Sequence, residues 1–379
     1  MKISEFFRIL EPLTSNEPFF TGVPDSLLKP LCDALFATFG TEGKRHVVAA
    51  NEGNAAAIAA GYHLATGKVP VVYMQNSGEG NIVNPAASLL HEQVYAVPSL
   101  FLVGWRGEPG VHDEPQHIYQ GVITERLLEL LEIEHTVLSK TTSIEELSAF
   151  IARACALAKE GKCAAIVIKK GALEGEFTPT YASENAMVRE EIVRLIAEAS
   201  GGDPIVSTTG KASRELFEIR EKRGEGHGMD FLTVGSMGHA SSIALGIALE
   251  KPNVRVWCVD GDGAVLMHMG AMAVVGARKP NNFVHVVVNN GAHETVGGMP
   301  TAIGKVDLAK IAEGCGYPLV LRAETYEELN EALRIAQNSN QLTFLEARAN
   351  LFSRKDLGRP TTTARQNKAD FMEYLKNLG

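Results

Sequence analysis

The chain has 379 residues, enough for two domains that each bury a core of their own. Hydrophobic residues make up 45% and charged ones 21%, and the net charge of −9 excludes the basic footprint of a nucleic-acid binder. No apolar run reaches membrane-spanning length, and the start, "MKISEFFRILEPLTSNEPFF", lacks the apolar core of a secretory signal. The five cysteines, Cys32, Cys155, Cys163, Cys258 and Cys315, are odd in number and show no CxxC spacing. That pattern predicts reduced thiols and a soluble, cytoplasmic protein.

In chain order, Asp25 in "GVPDS" stands before a helix beginning at Ser26. Short apolar, β-branched runs then predict strands: "HVVAA" (46–50), "VPVVYMQ" (69–75), "SLFLVGW" (99–105), "HTVLS" (135–139) and "AAIVIKKG" (164–171). Ala- and Leu-rich stretches at 54–66, 81–95 and 143–159 predict helices between them. Strands that are apolar throughout and alternate with helices predict a parallel sheet covered on both faces. Residues 172–187, "ALEGEFTPTYASENAM", have no periodicity and predict a linker. A second α/β series follows, with strands at 203–210, 254–260 and 283–290, a last one at 342–349, and helices at 213–222 and 241–250. The polar stretch from about Arg354, "RKDLGRPTTTARQNK", predicts a disordered tail. The expected architecture is α/β, two doubly wound parallel-sheet domains (1–171 and 188–379) with no sequence repeat evident between them.

"VDGDGAVLMHMG" (259–270) places Asp262 between Gly261 and Gly263 just past a strand end, where open parallel sheets bind ligands. Gly-Asp-Gly alone is a common tight turn. Here a second strand ends in Asn289, Asn290 and Gly291 after about twenty-five residues, room for a crossover helix and a return strand. A carboxylate, a carboxamide oxygen and a nearby backbone carbonyl are hard donors suited to Mg²⁺ alongside phosphate oxygens. The glycines let backbone amides approach a diphosphate closely. Neither a GxGxxG nor a P-loop fingerprint is present, which argues against a generic nucleotide-binding protein.

Gly-Asp-Gly, that interval and Asn-Asn together resemble the fingerprint of the thiamine-diphosphate-dependent 2-oxoacid decarboxylases. The resemblance implies thiamine diphosphate and Mg²⁺ as cofactors, with Asp262, Asn290 and the carbonyl of Ala292 as metal ligands. It makes the first domain pyrimidine-binding and the second diphosphate-binding. In "VVAANEGNAAAIAAGYHLATG", Glu52 follows a strand and begins a small-residue helix. The resemblance places it against N1′ of the aminopyrimidine, relaying the proton that activates the coenzyme; alone, it reads as an acid favoured at a helix start. A silent binding protein has no need of that glutamate, so an enzyme is implied. The family shares each coenzyme between subunits, which implies at least a homodimer with active sites between subunits. Met237, in "TVGSMGHAS", takes the place of the apolar residue that bends the cofactor, or is an ordinary core methionine. Asn76, Ser77, Gly210, Gly261 and Gly263 stand at strand ends expected to meet cofactor, and Asn76, Ser77 and Glu79 at one such end are expected to contact the pyrimidine or the substrate.

The lack of a middle domain narrows the resemblance to a small branch of the family. "FTGVPDSLL", "QNSGEGNIVNP", "HDEPQH", "TTGKASRELF", "GSMGHASSIALGIAL" and "NNGAHETVGG" resemble decarboxylases whose 2-oxoacid carries a phosphonate or a sulfonate. The implied reaction adds the coenzyme's C2 carbanion to the ketone of 3-phosphonopyruvate and yields CO₂ and phosphonoacetaldehyde, a step of phosphonate biosynthesis. Sulfopyruvate giving sulfoacetaldehyde is the alternative, and fusion of both domains in one chain favours the phosphonate. A dianion buried in an acidic protein needs local cations. Lys211 is the first choice, then Arg106 and Arg214, with His112, His117 and His293 as further partners; Arg214 reads equally as a solvated helix residue. Asp25 matches an active-site aspartate of the family or caps its helix. For the proton that completes the product, His112, His117, His293 and Glu294 stay open, because no acid stands in the register where larger decarboxylases keep a glutamate.

Overall fold

The computed structural model describes residues 1–40 and 43–378. It divides into two compact units, Met1–Thr180 and Tyr181–Gly379. The first contains β1 (Phe20–Gly22), β2 (His46–Val48), β3 (Val71–Gln75), β4 (Leu100–Gly104), β5 (Glu134–Leu138) and β6 (Ala164–Ile168). They form one sheet in the order β2-β1-β3-β4-β6-β5, with every neighbouring pair parallel. Parallel neighbours need crossovers, which the helices supply: α1 (Ile3–Thr14), α2 (Lys29–Phe39), α3 (Glu52–Thr66), α4 (Glu79–Pro85), α5 (Pro115–Leu130) and α6 (Ile144–Lys159). The apolar runs of β3, β4 and β6 are almost wholly buried, as a sheet covered on both sides requires. Small residues on α3, Ala55, Ala56, Ala59 and Ala60, let that helix lie close against the same core.

The helix expected over 81–95 is shorter. It begins at Glu79, and after Pro85 the chain makes one wide π turn over Ala86–Leu90 and stops. Proline has no N–H for the i→i−4 ladder, so the regular helix cannot pass through it unchanged. The linker stretch is anchored at both ends. Glu174 exchanges backbone bonds with Met1 (2.8 Å) and Ile3 (3.1 Å) in the first unit. In the second, Asn185 Nδ2 donates to the Ala349 carbonyl at 2.8 Å.

The second unit contains β7 (Ile205–Ser207), β8 (Asp230–Leu232), β9 (Val256–Gly261), β10 (Phe283–Asn289), the short hairpin β11 (Ala292–His293) and β12 (Met299–Pro300), β13 (Leu319–Ala323) and β14 (Thr343–Arg348). Its parallel sheet runs β13-β14-β10-β9-β7-β8. Counted from the start of each unit, the strands of both sheets lie in one order: second, first, third, fourth, sixth, fifth. The helices are α7 (Arg189–Ser200), α8 (Lys211–Lys222), α9 (Ala240–Glu250), α10 (Asp262–Met267), α11 (Gly270–Arg278), α12 (Leu308–Gly314), α13 (Tyr326–Asn338) and α14 (Ala364–Asn377). Trp257, Val259, Val284 and Val286 point to the face covered by α7, α8 and α13. Val256, Cys258, Phe283 and Val287 point to the face covered by α9, α12 and α14. Alternation along a strand thus feeds two cores.

The expected disordered tail is a correction. Arg354 pairs with Glu190 and Glu218, and α14 docks on β8. Asn367 accepts from Leu232 N–H at 3.0 Å and donates to the Asp230 carbonyl at 2.8 Å, while Phe371 is buried. Leu375 packs on the same core and the Tyr374 hydroxyl donates to the Gly202 carbonyl, so a few anchors fasten an otherwise polar helix, and composition alone does not reveal them. No helix among the described residues is long and apolar enough to cross a membrane.

Candidate active site

In each sheet the chain leaves the first and third strands in opposite directions, which opens a crevice at their carboxyl ends. In the second unit Asp262 lies there, the first residue of α10 directly after β9. It is 2% exposed. Its Oδ2 accepts from Thr301 Oγ1 at 2.8 Å, and the backbone N–H groups of Asn290 and Gly263 also point to the carboxylate. Burial still outweighs these donors and raises its pKa to about 6. A carboxylate held this way is short of positive charge.

The next strand end supplies further oxygens. Asn289 is turned inward, donating to Glu346 Oε1 at 2.7 Å, so it is Asn290 that emerges. Asn290 Oδ1 accepts from Ala292 N–H at 3.1 Å, and its Nδ2 donates to Glu294 Oε2 at 3.0 Å. Ala292 sits opposite Pro300 in the hairpin, and proline offers no N–H to its carbonyl. One carboxylate, one carboxamide and one carbonyl form an all-oxygen set that fits Mg²⁺. Beside it, a Cβ on Gly263 would lie 3.5 Å from Met237 Cε and 3.4 Å from His293 Cε1, so both side chains converge on the Gly-Asp-Gly turn. Met237 is half-buried, with its Cε beside the Gly-Asp-Gly turn. Burial lowers the His293 pKa to about 4, leaving a neutral imidazole. Gly261 ends β9, and Gly210 leads into α8.

The cations expected at this end are engaged elsewhere. Lys211 Nζ pairs with Glu294 Oε1 at 2.9 Å and donates to Ser353 Oγ at 2.6 Å. It is therefore not an uncommitted charge waiting for a phosphonate. Arg214 binds the carbonyls of Leu357 and Gly358, fastening the segment after β14. Glu294 is corrected as a proton donor. Burial works to raise its pKa, but Arg189, Lys211 and Ser353 together hold it below the usual carboxylate value. It is ionised at neutral pH.

In the first unit Glu52 is the first residue of α3, whose start is capped by Asn51 accepting from Asn54 N–H at 2.9 Å. Glu52 is 5% exposed, and its Oε2 accepts from Asn81 Nδ2 at 2.6 Å. Desolvation raises its pKa despite that bond. A Cβ on Gly78 would fall 2.5 Å from the Glu52 carboxyl carbon, so glycine is required for this approach. The neighbouring Glu79 is 1% exposed, and its Oε1 has no hydrogen-bond partner among the described residues. Burial pushes its pKa up to about 9, which makes it a neutral acid.

A second cluster gathers at the ends of β1, β3 and β4. Asp25 Oδ1 accepts from Gln75 Nε2 at 2.5 Å, and its Oδ2 accepts from the N–H groups of Leu27 (3.0 Å) and Leu28 (3.3 Å). It braces a turn rather than capping a helix at Ser26, since α2 begins only at Lys29. A Cβ on Gly104 would meet its Oδ2 at 2.7 Å. Arg106 holds Asp113 in a two-pronged pair (2.8 and 2.5 Å) and reaches Ser26 Oγ at 3.2 Å. His117 is buried on α5, with Nδ1 unpartnered among the described residues and its pKa lowered by burial and by Arg106. His112 is exposed. Asn76 is a correction to the cofactor contacts. Its carboxamide donates to Thr124 Oγ1 and the Arg106 carbonyl, both at 2.8 Å, and accepts from Arg106 N–H, a clamp between β3, β4 and α5. Ser77 is exposed and donates to Gln75 Oε1 at 2.7 Å.

Both units have counterparts among known domains. Residues 16–130 match the family described as "Thiamine pyrophosphate enzyme, N-terminal TPP binding domain", and residues 208–347 match its C-terminal TPP binding domain. Fold and sequence together define a thiamine-pyrophosphate enzyme. Phosphonopyruvate decarboxylase of Streptomyces viridochromogenes is 36% identical over 371 residues, 93% of this chain and 90% of that one. The same-named protein of Streptomyces hygroscopicus is 34% identical over 93% of this chain and 89% of its own. Sulfopyruvate decarboxylase of Methanosarcina acetivorans is 27% identical over 78% of this chain and 79% of its own. The chain belongs to the phosphonopyruvate decarboxylase family of thiamine-pyrophosphate-dependent enzymes.

Proposed function

We propose that the chain decarboxylates 3-phosphonopyruvate to phosphonoacetaldehyde and CO₂, without oxidation, and so serves phosphonate biosynthesis. The observation that carries this reading is similarity to two phosphonopyruvate decarboxylases across both units, at 36% and 34% identity. The sulfonate reading is supported by a relative 27% identical over 78% of this chain, and by separate subunits 33% and 41% identical over only 44% and 23% of it. Fusion of both domains does not itself separate the two, because that relative also aligns with both units of this chain over 315 residues.

Bound thiamine diphosphate supplies a carbon nucleophile for the ketone and an acceptor for the electron pair left as CO₂ departs. In this reading Asp262, Asn290 and the Ala292 carbonyl hold Mg²⁺ against the diphosphate, and Gly261 and Gly263 admit it. Met237 and His293 line the adjoining wall. Glu52, desolvated and fixed by Asn81, exchanges a proton with N1′ of the aminopyrimidine. Asp25, Arg106 and His117 face the substrate. Arg106 uses three of its five N–H donors on Asp113 and Ser26, which leaves two for an anionic group. Buried His117 is a better proton carrier for the product than exposed His112. The protein works as a homo-oligomer in which the Glu52 side from one copy meets the Asp262 side from another.

An aldehyde-coupled assay on phosphonopyruvate, sulfopyruvate and pyruvate at equal concentration tests the substrate. The phosphonate should give the highest kcat/KM, by at least an order of magnitude if two or more charged contacts discriminate. A preference for sulfopyruvate would transfer the assignment to the alternative.

A further inference from the structure

Resting on the metal reading above, we infer that Glu294 is a positioning residue, whose carboxylate decides which way the Asn290 carboxamide points and so aims Asn290 Oδ1 at the cation. A carboxamide has a donor end and an acceptor end of nearly equal shape, and only its partners tell them apart. Here the partners are of opposite kinds. The Glu294 carboxylate can only accept, so the NH₂ end must face it, at 3.0 Å. The Ala292 N–H can only donate, so the oxygen must face the hairpin, at 3.1 Å. The oxygen end of Asn290 is thereby fixed beside Ala292, the residue whose carbonyl completes the proposed ligand set.

Glu294 is itself held from two helix starts. Arg189, first residue of α7, contacts its Oε2 and grips Glu215 with two further bonds of 2.8 and 2.7 Å. Lys211, first residue of α8, contacts its Oε1. Arg189, Glu215 and Glu294 are all at least nine-tenths buried. Two acids and two bases balance in charge, yet buried ion pairs add little stability over an apolar core of the same shape. What such a lattice provides is direction, and the uncharged groups it ends on are the Ser353 hydroxyl and the amide of Asn290. Lys211, first expected to meet substrate, acts one step behind the metal instead.

The test is Mn²⁺ uptake with saturating thiamine diphosphate, read from the resonance of free Mn²⁺, on wild type, Glu294→Gln, Asn290→Asp and the double variant. Glu294→Gln should weaken Mn²⁺ binding by about 10- to 100-fold, the range for partners of metal ligands. In the Asn290→Asp background the same substitution should tighten binding, because the introduced amide then donates to an acceptor at position 290. Loss of negative charge alone would weaken binding in both backgrounds, and that result overturns the inference. Glu294→Asp, which keeps the charge but shortens the reach, should also weaken binding; unchanged affinity there counts against it. Wild-type protein that takes up no Mn²⁺ would overturn the metal reading itself, whereas equal affinity of wild type and Glu294→Gln would remove only the aiming role.

Discussion

Glu52→Gln should reduce turnover by about 10²- to 10⁴-fold, the usual contribution of a positioned acid–base group, while thiamine diphosphate still binds. Glutamine matches glutamate in shape and can still accept the 2.6 Å bond from Asn81 with its amide oxygen. It also keeps the carboxyl-sized body that the bare Gly78 backbone accommodates. What it cannot do is hold a proton on demand. Steady-state decarboxylation gives the first readout, fluorescence quenching by thiamine diphosphate the second, and deuterium exchange at C2 of the bound coenzyme the third. Turnover within tenfold of wild type would remove Glu52 from the proton path.

Asp262→Asn should abolish cofactor retention without unfolding the chain. Among the three proposed metal ligands it alone carries charge, and divalent affinity follows ligand charge strongly, so a loss of about two orders of magnitude is expected. The metal-free protein has the opposite preference. Its Asp262 is buried, with a pKa raised to about 6, and asparagine can accept the same bond from Thr301 with no charge to desolvate. Melting of the metal-free variant should therefore match or exceed wild type. The rise in melting temperature on adding Mg²⁺ with thiamine diphosphate should disappear. A preserved rise would mean that the metal is held elsewhere.

The two variants also test where the halves of one site come from. Glu52→Gln and Asp262→Asn protein, each inactive, should regain activity when unfolded together and refolded. Random pairing into dimers makes half of them mixed, each with one intact site of two, so about a quarter of wild-type activity returns. No recovery would place both residues of a site on a single chain.

Much of this was readable in the residues themselves. Val71–Gln75, Leu100–Gly104 and Phe283–Asn289 are long, apolar strands, and Glu52, Asp262 and Asn290 stand directly past strand ends, where chemistry concentrates in such folds. The three-residue strands β1 and β8 carry too little pattern to announce themselves. The misjudged site residues share a different cause. Lys211 meets Glu294 across 83 positions, Asn76 meets Thr124 across 48, and Arg214 meets Leu357 across 143. A charge or an amide looks available until its distant partner is known. Glu79 is legible as a residue at a strand end that could meet the coenzyme or substrate, but its neutral state is not, because only its burial produces it.

The common strand order of the two sheets bears on where the halves differ. Glu52 and Met237 both follow the second strand of their unit, Asp25 and Gly210 the first, Ser77 and Asp262 the third, Arg106 and Asn290 the fourth. Each pair occupies the same address in its own sheet. An acid stands at one address where the other unit has a thioether, and a serine stands where the other unit has the carboxylate that we assign to the metal. The labour dividing the halves thus sits in the fittings at a few loop mouths, mounted on scaffolding of one and the same strand order.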